Sequence, residues 1–192
     1  MPIKYVVGDA TNPPASADGS KDTIAIVQCC NNVGMYGAGF SGALSRRYPV
    51  VEESYRYWAR TGYTLFGSKC PFELGGIYLL SIPSETQEED QKRETIVINI
   101  IGQRGVCSRE NPHPIDYEAL RKGLDQVEKC ISLDAGLDMH GCFQPDPINI
   151  HMPRIGCGLA GGDWAIVEEI INETLVDKGV SVTVYDLEKQ HG

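Results

Sequence analysis

The chain reads as an α/β domain built on a mainly parallel sheet, and three observations carry that reading. Short β-branched runs alternate with segments whose apolar side chains recur at helical spacing. Two glycine-rich loops each follow a strand and lead into a helix, the connection a parallel sheet requires. With 192 residues, 42% hydrophobic and 22% charged, the chain has enough material for one full core and is expected to form a single domain over residues 1–192.

Six strands are expected, at residues 3–7, 23–28, 76–82, 95–101, 147–151 and 180–186, each bounded by Gly, Pro, Asp or Ser. A helix is expected over 38–48, interrupted at Pro49 and resuming to residue 61. A second spans 116–133 and gathers Tyr117, Leu120, Leu124, Val127 and Ile131 on one face. A third, over 163–176, gathers Trp164, Val167, Ile170, Ile171 and Leu175 and has Asp163 placed to cap its start. The connections at 12–22 and 103–114 are long enough to be functional loops. The stretch at 139–147 reads as an ordinary surface connection.

Composition excludes several classes of function. There are 26 acidic against 17 basic residues, a net charge of −9, with an acidic cluster from Glu85 to Asp90. Sequence-specific nucleic-acid binding, which relies on a basic stripe, is not expected. No run approaches the roughly 20 apolar residues of a membrane helix, and the first residues lack a signal-peptide pattern. A soluble, cytoplasmic protein with no membrane contact is expected. The seven cysteines, Cys29, Cys30, Cys70, Cys107, Cys130, Cys142 and Cys157, show no C-x-x-C pair. They read as free thiols in a reducing compartment, with neither a disulfide framework nor a metal site.

The first glycine loop, Cys29-Cys30-Asn31-Asn32-Val33-Gly34-Met35-Tyr36-Gly37-Ala38-Gly39-Phe40, runs from a strand into a helix. Such a loop lets backbone approach a ligand and presents unpaired N–H groups to an anion. The second, Pro153-Arg154-Ile155-Gly156-Cys157-Gly158-Leu159-Ala160-Gly161-Gly162-Asp163, repeats that design. Two such loops at the carboxyl edge of one sheet suit a diphosphate. A Rossmann site fits poorly, because the order is Gly34-x-x-Gly37-x-Gly39 and the acids at the right distance, Glu52 and Glu53, fall in a helix. The Gly-Lys-Ser/Thr of a P-loop is absent.

Taken together, these loops resemble those of the macrodomain family of ADP-ribose-binding modules. The resemblance includes Val7-Gly8-Asp9-Ala10-Thr11, Gln28-Cys29-Cys30-Asn31 followed by Gly37-Ala38-Gly39, Pro153 to Leu159, and Val182 to Leu187. The closing loop is closest to the terminal ADP-ribose protein glycohydrolase branch, and 37–49 to the ADP-ribose 1″-phosphate phosphatases. The resemblance implies a three-layer α/β/α fold with a mixed, mainly parallel sheet of about six strands. It implies that Asp9 accepts from the adenine amino group beside the Ala10 N–H, and a carboxylate can only accept there; the alternative for Asp9 is a turn-forming role. Asn31 would bond the distal ribose or, alternatively, form an Asx-turn. Gly37, Ala38, Gly39 and Phe40 would cradle one phosphate, and Gly156, Cys157, Gly158, Leu159 and Ala160 the other. Tyr185 would wall the adenine or belong to the core. The implied partners are ADP-ribose or a derivative and an ADP-ribosylated macromolecule, with no cofactor.

The catalytic groups of the active branches are missing at their matching positions. Gln103 stands for the glycohydrolase lysine, Ala160 for its aspartate, Gln28 for the phosphatase histidine, and Ser41 for the deacetylase aspartate. Asn31, which could hold a water beside the diphosphate, and Gln103 remain as candidates for catalysis; His113, in a mobile-looking Asn-Pro-His-Pro loop, and His151 are further titratable groups. Two expectations follow: a hydrolase of ADP-ribose derivatives, or a module that captures the nucleotide without chemistry.

Overall fold

The computed structural model describes residues 2–14, 23–82, 94–131 and 148–187. The acidic cluster from Glu85 to Asp90, the 139–147 connection and Cys142 lie outside them.

Six strands, β1 (Lys4–Val7), β2 (Thr23–Asn31), β3 (Ile77–Ile82), β4 (Thr95–Gln103), β5 (Ile148–Pro153) and β6 (Val182–Asp186), form one sheet in the order β1-β6-β5-β2-β4-β3. Every neighbouring pair is parallel except β3 with β4 at one edge. The central strands are buried on both faces. Ile24, Ile26 and Cys30 of β2 join Val97 and Ile101 of β4 under helices α1 (Phe40–Arg47) and α2 (Pro49–Thr61). On the opposite face Ala25 and Val27 join Ile96, Ile98 and Ile100 under α3 (Tyr117–Ile131) and α4 (Trp164–Thr174). Two-sided burial explains why these strands read as unbroken apolar runs, and it produces the three-layer α/β/α arrangement.

The helices follow their sequence signals, with instructive shifts at the ends. Asp163 caps α4 as expected, its Oδ1 accepting from the Ala165 N–H at 2.9 Å. The break between α1 and α2 falls at Tyr48, one residue before the expected point. Pro49 opens α2 at its first position, where a missing N–H costs nothing. Helix α1 starts at Phe40 and not at 38, because Gly39 takes a φ of 59°, outside the helical region. In that layer Trp58 is fully buried, with the Phe72 ring 4.9 Å away edge-on and its Nε1 donating to the Cys70 carbonyl at 2.6 Å.

Three strands run past their expected ends. β2 and β4 pair with each other through Cys29, Cys30 and Asn31, with an irregularity between Cys30 and Asn31. β5 continues to Pro153 because Met152 and Pro153 stand in register with Val184 and Tyr185 of β6. Asn31 and Gln103 are therefore strand residues at the rim of the sheet, where sequence had them in loops.

Helix α3 lies very close to β4 at Gly123, where an added methyl would come within 2.2 Å of Ile100 Cγ2. In an open helix, glycine to alanine stabilises by about 1 kcal/mol. Here overpacking of about 1–3 kcal/mol opposes that gain, so Gly123→Ala is expected to lower the melting temperature, as thermal denaturation will show.

Candidate ligand-binding cleft

The carboxyl ends of β1, β6, β5 and β2 stand side by side. Three inter-strand spacings separate β1 from β2, about 14 Å. Along that rim lie the three segments that sequence singled out.

At the β1 end, the Gly8 N–H donates to the Asp186 carbonyl at 2.9 Å. Asp9 is exposed, and its Oδ1 accepts from the Thr11 N–H at 2.8 Å. One carboxylate oxygen thus fixes the turn, while Oδ2 makes no hydrogen bond among the described residues. Ala10 is buried beside it. Arg47, in the last turn of α1, donates to Asn12 Oδ1 at 2.7 Å and ties this turn to the helix. Tyr185 is buried, with its hydroxyl 2.9 Å from His151 Nδ1, and a methyl at Gly8 would touch its ring at 3.6 Å.

At the β2 end, Asn31 uses its amide on its own loop. Nδ2 donates to the Met35 carbonyl at 2.6 Å, and Oδ1 accepts from the N–H groups of Val33 and Met35 at 3.2 and 3.0 Å. The Tyr55 hydroxyl donates to the Asn31 carbonyl. Asn32 Oδ1 accepts from the Gly105 N–H at 2.7 Å, which joins this loop to the one after β4. The Gly37 N–H is taken by Ser41 Oγ at 3.3 Å. No side chain caps α1, and the N–H groups of Ala38, Gly39 and Phe40 make no hydrogen bonds among the described residues. Four amide groups at a helix start lack an intrahelical partner by construction, and they carry the positive end of the helix dipole.

The loop after β5 is a chain of tight turns. The Cys157 N–H donates to the Arg154 carbonyl at 3.2 Å, Gly161 to Gly158 at 3.0 Å and Gly162 to Gly156 at 2.9 Å. The N–H groups of Gly158, Leu159 and Ala160 are left out of this bonding. Ala160 is buried while Gly158 and Leu159 are exposed, and nothing lies within 4 Å of where a Gly158 side chain would start. A methyl at Gly39 would lie 3.5 Å from Leu159 Cδ1. The two glycine loops are therefore neighbours, meeting at Gly39 and Leu159.

The loop after β4 backs the second glycine loop. The Ile115 N–H donates to the Ala160 carbonyl at 3.2 Å, and His113 Nδ1 is 3.0 Å from the Gly161 carbonyl. A carbonyl only accepts, so Nδ1 carries the proton in that contact. In the same loop Asn111 Nδ2 bonds the Arg104 and Val106 carbonyls at 2.8 and 3.3 Å.

The residues that stand in for catalytic groups are occupied elsewhere. Gln103 Nε2 donates to the Cys29 carbonyl at 3.3 Å. Gln28 is buried in the core, with Nε2 bonded to the Tyr36 hydroxyl at 2.5 Å and to Asn99 Oδ1 at 2.6 Å. Ser41 Oγ donates to the Ala38 carbonyl at 2.8 Å. Burial pushes the Cys29 thiol up to about 12 and the Cys157 thiol up to about 11, the latter against the pull of Arg154. Both stay protonated at neutral pH and supply no thiolate nucleophile. Among the described residues no cluster of His, Cys, Asp and Glu could hold a metal ion, and no helix is long and apolar enough to cross a membrane.

Sequence reasoning missed the fixtures of this rim: Asn32, the bonding of His113, and Asp186. Asp186 accepts a bidentate contact from Arg154, Nε to Oδ1 at 2.6 Å and Nη2 to Oδ2 at 2.9 Å, and that guanidinium holds the Asp186 carboxyl below its usual range. Both residues lie in segments quoted above, but their meeting depends on the adjacency of β5 and β6, which sequence does not give.

No family model matches the chain. A macrodomain protein from Streptomyces coelicolor is 34% identical and superposes with a TM-score of 0.66 over 99% of both chains. The ADP-ribose 1″-phosphate phosphatase of Candida glabrata is 26% identical over 181 residues, 84% of this chain and 89% of that protein. Chromodomain-helicase-DNA-binding protein 1-like of Danio rerio is 26% identical over 184 residues, 95% of this chain and 15% of that protein, so the chain spans a small part of that relative's length.

The thiol environments make a direct prediction. At pH 7.5, exposed Cys107 is expected to take up iodoacetamide well before Cys29 and Cys157, as mass spectrometry of timed digests will read out. Early labelling of Cys157 would contradict its protonated state.

Proposed function

The chain belongs to the macrodomain family, and from that premise we propose that it binds ADP-ribose or a derivative in the cleft between its two glycine loops. One observation carries the reading: both loops, on adjacent parallel strands, hold runs of N–H groups with no partner among the described residues and meet at Gly39 and Leu159. Fixed amide donors hold a diphosphate without side-chain cations, which suits a chain of net charge −9. Adenine would take the turn of Asp9 and Ala10 beside Tyr185, with Asp9 Oδ2 open to the amino group. The phosphates would lie between Gly37 to Phe40 and Gly156 to Ala160. The distal ribose would reach the β2 end, where Asn31 acts chiefly by shaping the loop.

A second reading, hydrolysis of the bound derivative, is favoured by the match to a relative named an ADP-ribose 1″-phosphate phosphatase over most of both chains. With Gln103 and Gln28 engaged elsewhere, such turnover would rest on a water oriented by the loop and by the ligand's own phosphates. Incubation with ADP-ribose 1″-phosphate separates the readings: released phosphate marks a hydrolase, intact ligand a binding module. An ADP-ribosylated macromolecule is the partner that either reading admits. We also place the protein in the cytoplasm, a proposal that the free thiols at six described positions support.

Calorimetry is expected to give micromolar affinity for ADP-ribose, about −8 kcal/mol. Gly158→Ala enters open space and should bind within about twofold of the unsubstituted chain, about 0.4 kcal/mol. Gly158→Glu should fold equally well yet lose about 100-fold, because a carboxylate meets the diphosphate. Equal affinity for all three would remove this loop from the site.

A further inference from the structure

We propose that Arg154 and Asp186 form a positioning pair that sets the distance between the adenine end and the phosphate end of the cleft. The proposal rests on the ADP-ribose reading above and goes beyond it, since neither side chain need touch the ligand. Asp186 serves both ends at once. Its carbonyl accepts from the Gly8 N–H at 2.9 Å, next to Asp9. Its carboxylate holds the Arg154 guanidinium in a two-point contact at 2.6 and 2.9 Å.

Arg154 in turn clasps the second glycine loop. Its carbonyl accepts from the Cys157 N–H and starts the first turn. Its guanidinium lies 4.8 Å from the ring centre of Trp164, the first residue of α4, and 5.4 Å from that of Tyr5 in β1. The residue thus holds the beginning of the loop through its carbonyl, while its side chain touches the helix that ends the loop and both strands behind the adenine turn. The Trp164 Nε1 also donates to the Tyr5 hydroxyl at 3.3 Å, which closes the clasp.

The energetics argue for position over stability. The two side chains are 39% and 40% exposed, and ion pairs with that much solvent access add little to folding. Their value lies in geometry, because a planar fork bonded to a carboxylate fixes direction as well as distance. Lysine keeps the charge and loses the fork. Once the fork is released, a nucleotide anchored at Asp9 no longer has its phosphates in register with Gly158 to Ala160.

The test is a cycle of ADP-ribose affinities by calorimetry on the unsubstituted chain, Asp9→Ala, Arg154→Lys and the double variant. Each single change is expected to cost about tenfold. Because the two ends act through one strut, the double variant should fall well short of the hundredfold that independent losses would give. Asp186→Asn keeps the carbonyl and should reproduce Arg154→Lys, and adding it to Arg154→Lys should cost nothing more. A merely structural role would show as a lower melting temperature with multiplicative losses. Multiplicative losses, or no loss in Arg154→Lys, overturn the coupling while leaving the site in place. Absence of ADP-ribose binding by the unsubstituted chain overturns the reading of the cleft and the coupling with it.

Discussion

Two parallel strands lying side by side, β5 and β2, deliver two glycine loops to the same rim of the sheet. A peptide N–H left without a partner is costly in a buried place and useful in a cleft. At Ala38 to Phe40 and at Gly158 to Ala160 the N–H donors find no partner and no cap among the described residues. The contrast with α4 is informative, since Asp163 caps that helix with its own side chain while α1 has no side-chain cap. A helix start left uncapped in this way is the kind of place where an anion binds.

Much of this was legible in the sequence, for physical reasons that can be named. The central strands are buried on both faces and so announce themselves as apolar runs; α3 and α4 show one-sided periodicity. Asp163 before Trp164 gave the cap, and Pro49 marked the junction of α1 and α2 to within a residue. The strand ends were less legible. Asn31 and Gln103 stay in the ladder because each continues to pair with the other strand, and pairing is a property of two distant segments. The same limit hid the Asn32–Gly105, His113–Gly161 and Arg154–Asp186 contacts.

The fate of the polar side chains around the cleft separates holding from reacting. Asn31, Gln103, Gln28 and Ser41 all bond to backbone or core partners, and the thiols of the glycine-loop segments, Cys29, Cys30 and Cys157, are held neutral by burial. What remains without a partner among the described residues of this rim is chiefly main-chain N–H and one carboxylate oxygen of Asp9, beside the exposed Leu159. Such a surface orients a nucleotide well. Under the hydrolase reading proposed above, chemistry would fall to water and the ligand's own phosphates.

The central claim is that both loops grip one diphosphate together. Titration of the 15N-labelled protein with ADP-ribose tests it most directly, by following the amide signals of Ala38 to Phe40 and of Gly158 to Ala160. The account predicts that both sets shift along a single binding curve with one ligand per chain. Shifts confined to one loop, or two curves with different midpoints, would contradict it.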